Sequence, residues 1–141
     1  MPLAYVDANV FVYAFLKPKR KLQSHEVTIK EAAKRIVTRI SAGEEVVTSV
    51  VHFSEVCNVL DDHLPFEEAL ALEKGLLLRE NIRILEATQN DYLNGVSISE
   101  QHHIGINDSL AYVIMKKLEA VRLYSFDKHF DYFSDVERLT E

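Results

Sequence analysis

Cysteine is nearly absent: Cys57 is the only one, so no internal disulfide can form and no cysteine set can hold zinc. A lone cysteine of this kind is expected to be a small buried hydrophobe on a helix. Glycine is scarce too, four in 141 residues, and none falls in a phosphate-cradling Gly-rich loop. Long apolar stretches are missing, the longest falling well short of the ~20 residues that cross a bilayer. The opening MPLAYVDANV carries neither a basic start nor a cleavage site before its first apolar run, so a cytoplasmic protein without a membrane partner is expected. Basic excess is lacking as well, and a net charge of −6 taken alone argues against nucleic acid. There is no repeat, linker or low-complexity segment, and no Ser, His and Asp set stands out for acyl chemistry.

What the chain does have is alternation. LAYVD (3–7), EEVVTS (44–49), IRILEA (82–87), VRLYSF (121–126) and VERLT (136–140) read as strands. Helical patterns lie between them. A short helix runs from about Asn9 to Leu16, and a longer one near 25–41 carries Ile29, Ala32, Ala33, Ile36, Val37 and Ile40 at 3.6-residue spacing until Gly43 ends it. Others are expected near 51–63, from Pro65 to about Arg79, near 88–102 and 106–119, and briefly at 128–133. Strands separated by helices imply right-handed crossovers and a parallel sheet covered on both faces. The expected fold is α/β: a three-layer α/β/α sandwich around a central parallel sheet of four to five strands, with residues 1–141 as a single domain.

Four acidic residues sit just beyond apolar runs: Asp7 in LAYVDAN, Glu55 in SVVHFSEV, Asp108 in GINDSLAYVIM and Asp127 in RLYSFDKHF. Ligands of open α/β sheets bind beyond the carboxyl ends of the strands, and all four acids can reach that edge. Gathering them is costly. At ~5 Å and an effective dielectric near 20, each like-charge pair repels by about 3 kcal/mol before screening, so a bound cation is expected. Oxygen ligands select hard Mg²⁺, Mn²⁺ or Ca²⁺ over zinc, and Mg²⁺ binds through a few carboxylates plus waters and substrate phosphate. That points to phosphodiester hydrolysis. Taken singly, Asp7 and Asp108 read equally well as helix caps, whereas Glu55 lies in a run with no obvious solvated face. Asp61, Asp62, Glu67, Glu68, Glu73 and Glu80 fit polar helix faces or turns, and the histidines fit surface or satisfied core positions.

The charge is unevenly spread. Residues 17 to 39 hold eight lysines and arginines against two glutamates, and Lys17, Lys19, Arg20 and Lys21 are candidate RNA contacts, a solvated loop being the alternative.

Y-V-D-A-N-V-F-V-Y-A (5–14), T-S-V-V-H-F-S-E-V (48–56), I-N-D-S-L-A-Y-V-I-M (106–115) and Y-S-F-D-K-H-F-D (124–131) resemble, in order, the signatures of PIN-domain ribonucleases of the VapC-like kind, the toxins of type II toxin–antitoxin pairs. The resemblance implies Asp7, Glu55, Asp108 and Asp127 as the catalytic, metal-holding acids, with Asn9, Ser49 and Ser125 as polar neighbours. Asp131, four residues after Asp127, is expected as an auxiliary residue on the same helical face. The activity implied is a Mg²⁺- or Mn²⁺-dependent ribonuclease with one or two ions per site, leaving a 5′ phosphate and a 3′ hydroxyl. A cognate antitoxin and a homodimer are the protein partners implied. In FEEALALEKGLLL, Leu70, Leu72, Leu76, Leu77 and Leu78 cover more of a helix than one buried stripe needs, which fits either a self-contact or core burial. Two other classes stay open: a non-catalytic or partner-inhibited nucleic-acid-binding module, and a phosphotransfer or receiver-like domain with Asp7 as acceptor and Glu86 and Asp91 as unconvincing partner acids.

Overall fold

Side chains alternating along short buried strands divide the protein into two cores. A computed structural model describes residues 3–141, with strands β1 (Ala4–Val6), β2 (Val46–Ser49), β3 (Ile82–Leu85), β4 (Arg122–Tyr124) and β5 (Glu137–Leu139). All pair in parallel, in the order β3-β2-β1-β4-β5. Ala4, Val6, Val46 and Tyr124 face α1 (Ala8–Phe15), α2 (Ser24–Ser41), α3 (Val50–His63) and α4 (Phe66–Leu78), which contribute Val10, Phe11, Ile36, Ile40, Leu60 and Leu76. Tyr5, Val47 and Leu123 face the other way. There they meet Leu110, Ala111, Ile114 and Met115 of α6 (Ile106–Lys117) and Phe130 of a 3-10 turn (Lys128–Tyr132), with α5 (Gln89–His102) packed beside α6. Burying each such large side chain stabilises the fold by roughly 1.5–3 kcal/mol. This is the three-layer α/β/α sandwich expected, with five strands.

The winding decides where a ligand can sit. The chain proceeds from β1 outward through β2 to β3, then returns across the sheet to place β4 and β5 on the other side of β1. The order therefore reverses beside β1, and the crevice beyond the carboxyl ends of β1 and β4 is the switch point where ligands of such sheets bind. A receiver-like sheet has the order 2-1-3-4-5, with its third strand next to its first. Here β3 is an edge strand two places from β1, so Glu86 and Asp91 are not neighbours of Asp7 across the crevice. The phosphotransfer reading loses its partner acids.

Local chemistry explains most boundaries. Gly43, at φ +117°, closes α2 in a conformation that suits glycine. Ser49 caps α3, its Oγ accepting from the His52 N–H at 3.3 Å. Glu73 departs from expectation: it is buried between α4 and α3, where burial and Asp61 push its carboxyl up to about 6. The leucine-rich helix α4 splits, Leu76 entering the core and Leu72 packing against it while Phe66, Leu70, Leu77 and Leu78 stay exposed. Cys57 is only half-buried.

Asp91 carries a prediction about stability. It closes a capping box with Thr88 at the start of α5 (3.0 and 3.1 Å) and accepts from Lys117 at 3.0 Å, so these donors hold its carboxyl below the usual range. A depressed folded pKa adds stability above the unfolded value that is lost as pH falls through the folded one. Asp91→Asn therefore destabilises the fold by about 2 kcal/mol near pH 7, a charge-assisted bond tempered by the exposure of Lys117. The gap to wild type narrows below about pH 4. Denaturant melts across that range check it; a gap unchanged with pH would contradict it.

Candidate active site

Three helix N-termini and one strand end meet at the crevice. Asp7 follows β1, and its N–H continues the ladder to the Tyr124 carbonyl at 2.9 Å, so its side chain lies on the same face as Tyr5. It is only 6% exposed. Its Oδ1 accepts from the Ala8 N–H (2.8 Å), which makes it the α1 cap, and its Oδ2 accepts from Ser125 Oγ (2.7 Å). The cap role and the site role thus coexist in one carboxylate. Asp108 lies in the first turn of α6, whose cap is Gly105, so the capping alternative for Asp108 falls away. Asp127 opens the 3-10 turn, with its N–H donating to Ser125 Oγ at 3.0 Å. Glu55 projects from the second turn of α3, half-buried at the rim. The partial positive charge at the starts of α1, α3 and α6 partly offsets the acids and suits a phosphate.

The structure brings Asp7, Asp108 and Asp127, with two histidines, into two overlapping sets and leaves Glu55 outside both, beside His52. Donor atoms of Asp7, His52 and Asp108 lie within 4.8 Å of one another, as do those of Asp108, Asp127 and His129. Asp108 belongs to both. His129 sits 2.8 Å from Asp108 Oδ2 through Nε2 and 2.8 Å from Asp127 Oδ1 through Nδ1. His52 Nε2 is 3.7 Å from Glu55 Oε1. Sequence alone places both histidines at surface or satisfied core positions, whereas the structure sets them among the acids. The available signal was spacing: His52 precedes Glu55 by three residues on one helix, and His129 follows Asp127 by two.

Burial and mutual repulsion raise the carboxyl pKa values of Asp7, Glu55 and Asp108. Glu55 is pushed up to about 7 by burial, then by Asp7 and Asp108. Asp108 is pushed up to about 6 by burial and by Asp7, against the pull of His129. Burial also raises Asp7, with His52 and the Ser125 hydroxyl opposing, and it lowers His52 against Asp7 and the nearby Asn107 carbonyl. Among the described residues of the site, His52 Nε2, Glu55 Oε1 and, despite its 2.8 Å approach to Asp108 Oδ2, His129 Nε2 are buried without a hydrogen-bond partner of good geometry. Oxygen and imidazole donors crowded this way, with three left unpaired, fit a divalent cation.

The polar neighbours divide. Ser49 and Ser125 are fully buried, Ser49 against His52 and Ser125 between Asp7 and Asp127. Asn9 Oδ1 accepts from the Phe126 N–H at 3.4 Å and ties α1 to the β4 exit. Asp131 turns away. In a 3-10 turn the residues three apart eclipse, so a residue four on leaves the face of Asp127, and Asp131 instead grips Arg138 at 2.9 and 3.0 Å. Arg138 in turn donates to the Ser125 carbonyl at 3.2 Å. The candidate RNA contacts are exposed, but Arg20 is held by Glu26 (2.7 and 3.0 Å) and Lys17 lies 3.9 Å from Glu68.

Fold and site together define a class: a doubly wound α/β domain whose carboxylates converge at the switch point of a parallel sheet. The PIN domain model matches residues 4–136, and the chain belongs to that family. Its fold is similar to that of VapC20 from Mycobacterium tuberculosis, a protein described as a Sarcin-Ricin loop cleaving toxin, with a TM-score of 0.70, 19% identity, and 95% of this chain and 98% of that one covered. A toxin–antitoxin complex from Klebsiella pneumoniae (TM-score 0.68, 13% identity, 95% of each chain) is also similar. So is VapBC2 from Rickettsia felis bound to a promoter DNA fragment (TM-score 0.66, 15% identity, 97% of each chain). At these identities the likeness is one of fold. No curated protein sequence matches the chain. No helix among the described residues is long and apolar enough to cross a membrane.

Proposed function

We propose that the protein is a metal-dependent ribonuclease and the toxin of a type II toxin–antitoxin pair. The observation that carries this reading is the convergence of Asp7, Asp108 and Asp127 on one crevice, with Glu55 close enough to feel the charges of Asp7 and Asp108 and with buried donor atoms left unpaired. Asp7 and Asp108 would hold a divalent ion, Mg²⁺ or Mn²⁺, with Glu55 and Asp127 joining directly or through water. Two donor sets sharing Asp108 suit one ion or two. Bound there, such an ion supplies Lewis acidity to activate water and positive charge to a phosphodiester.

The chain's own groups do the rest. Ser125 donates to Asp7 Oδ2 and accepts from the Asp127 N–H, so one hydroxyl ties the two acids together. Glu55 Oε1, unpartnered at the rim, is the carboxylate oxygen available to take a proton from an incoming water. Amides at the starts of α1, α3 and α6 lend positive potential to the phosphate. Lys19 and Lys21 are the stronger candidates for backbone contacts, with Lys17 beside them, and Arg20 contributes less because Glu26 neutralises it. An antitoxin and a second copy of the chain are the partners that accompany this reading, and the exposed Phe66, Leu70, Leu77 and Leu78 of α4 offer apolar surface to one of them.

Product ends test the chemistry. Water attack leaves a 5′ phosphate and a 3′ hydroxyl; a 2′,3′-cyclic phosphate would mean that the 2′ hydroxyl was the nucleophile and would contradict the proposed role of the site.

A further inference from the structure

His52 is a polar side chain, 1% exposed, whose Nε2 makes no hydrogen bond on the site side, although the Asn107 carbonyl lies near the ring. Its Nδ1 is engaged, 2.7 Å from Tyr5 Oη and 3.0 Å from Ser49 Oγ. Its Nε2 has no hydrogen-bond partner among the described residues. The nearest acid of its own helix, Glu55, stands 3.7 Å away, beyond hydrogen-bond reach, and the ring shares a 4.8 Å cluster with Asp7 and Asp108. A buried nitrogen left unpaired costs the fold about 1–3 kcal/mol unless something fills its place. Both hydroxyls at Nδ1 can accept a hydrogen bond as well as donate one, so their contacts are compatible with the tautomer protonated at Nδ1, in which Nε2 presents its lone pair to the crevice. Holding the far nitrogen of a ligating imidazole is the usual means of fixing its orientation. The ring is pinned from the strand side as well, edge-on to Tyr5 with centroids 5.5 Å apart.

From this arrangement we infer that His52 Nε2 is a nitrogen ligand to the ion held by Asp7 and Asp108, making a mixed nitrogen–oxygen site that takes a transition ion such as Mn²⁺ in preference to Mg²⁺. It rests on the metal-dependent reading above and adds a ligand that the four acids do not supply. Mg²⁺ and Mn²⁺ both favour oxygen ligands, but Mn²⁺ opens the first-row transition series whose later members take imidazole readily, so a nitrogen ligand shifts the site from Mg²⁺ toward Mn²⁺. Tyr5 and Ser49 are then positioning residues, acting through the ring. The bland alternative is a structural histidine that donates from Nε2 to a carboxylate and never meets the ion.

The test is pulsed electron paramagnetic resonance on the wild-type chain loaded with Mn²⁺, read for a directly coordinated ¹⁴N, alongside calorimetric titrations with Mn²⁺ and with Mg²⁺. The expected result is a ¹⁴N coupling that persists in His129→Gln, disappears in His52→Gln, and is accompanied by a fall of about tenfold or more in the Mn²⁺-to-Mg²⁺ affinity ratio. Mn²⁺ bound at a site that Asp108→Asn abolishes, but with no ¹⁴N coupling in the wild type, overturns the inference while leaving the metal-dependent reading intact. A coupling lost only in His129→Gln overturns it in favour of the other imidazole. No Mn²⁺ binding by the folded wild type overturns both readings. The wild-type spectrum needs no substitution, so a His52→Gln chain that failed to fold would not protect the inference.

Discussion

Asp108→Asn lowers RNA cleavage by on the order of a thousandfold or more, with the fold intact. The magnitude follows from its place in the cluster. Asp108 alone belongs to both donor sets, the one with Asp7 and His52 and the one with Asp127 and His129. Its loss damages the holding of one ion or of two, whereas any other single substitution leaves one set complete. Because Gly105 rather than Asp108 caps α6, the amide isostere does not remove a helix cap. Asp131→Asn is the matched control: its carboxylate serves Arg138 and not the cluster, so cleavage should change by less than about threefold. Rates on a common RNA for wild type and both variants check this. Equal loss in the two variants would contradict the assignment.

The same Asp108→Asn chain is more stable than wild type without metal and less stable with it. In the metal-free protein Asp108 faces Asp7 and Asp127 in a half-buried setting, and each such pair repels by up to about 3 kcal/mol before screening. The contact with His129 offsets part of this, so the net gain from removing the charge is about 1 kcal/mol, or roughly 4 °C in melting temperature. With Mn²⁺ at a hundred times its dissociation constant, wild type gains about 2.7 kcal/mol through binding that the unfolded chain lacks. The order of the two melting curves therefore inverts between EDTA and Mn²⁺ at one pH. This crossing also separates lost function from lost fold, since a variant that melts higher without metal cannot be inactive through misfolding. Parallel curves in both conditions would mean that Asp108 neither bears repulsion nor holds an ion.

The parts of the account that could be read from sequence are those set by short-range pattern. Short runs of β-branched, aromatic or leucine residues marked all five strands, and Asp7, Ser49 and Gly43 ended or began elements as local chemistry requires. The four acids could be picked out because each followed an apolar run whose end had to lie at one sheet edge. The histidines were harder. Nothing within VVHFSEV indicates that the His52 ring reaches Tyr5 OH, 47 positions away in sequence, because only the pairing of β1 with β2 brings the first turn of α3 beside Tyr5. Asp131 was misplaced for a different reason: the spacing argument assumed 3.6 residues per turn where the chain makes a 3-10 turn. The burial of Glu73 depends on how α4 lies against α3, which a weakly amphipathic sequence such as FEEALALEKGLLL does not specify.

Most direct for the central claim is cleavage of a mixed pool of structured and single-stranded RNA by the purified chain in Mn²⁺, in Mg²⁺ and in EDTA. The account predicts cutting in the presence of the divalent ions and none in EDTA, with activity restored when Mn²⁺ is added back. Cutting that persists undiminished in EDTA would contradict it, because the convergence of Asp7, Glu55, Asp108 and Asp127 would then have no part in the chemistry.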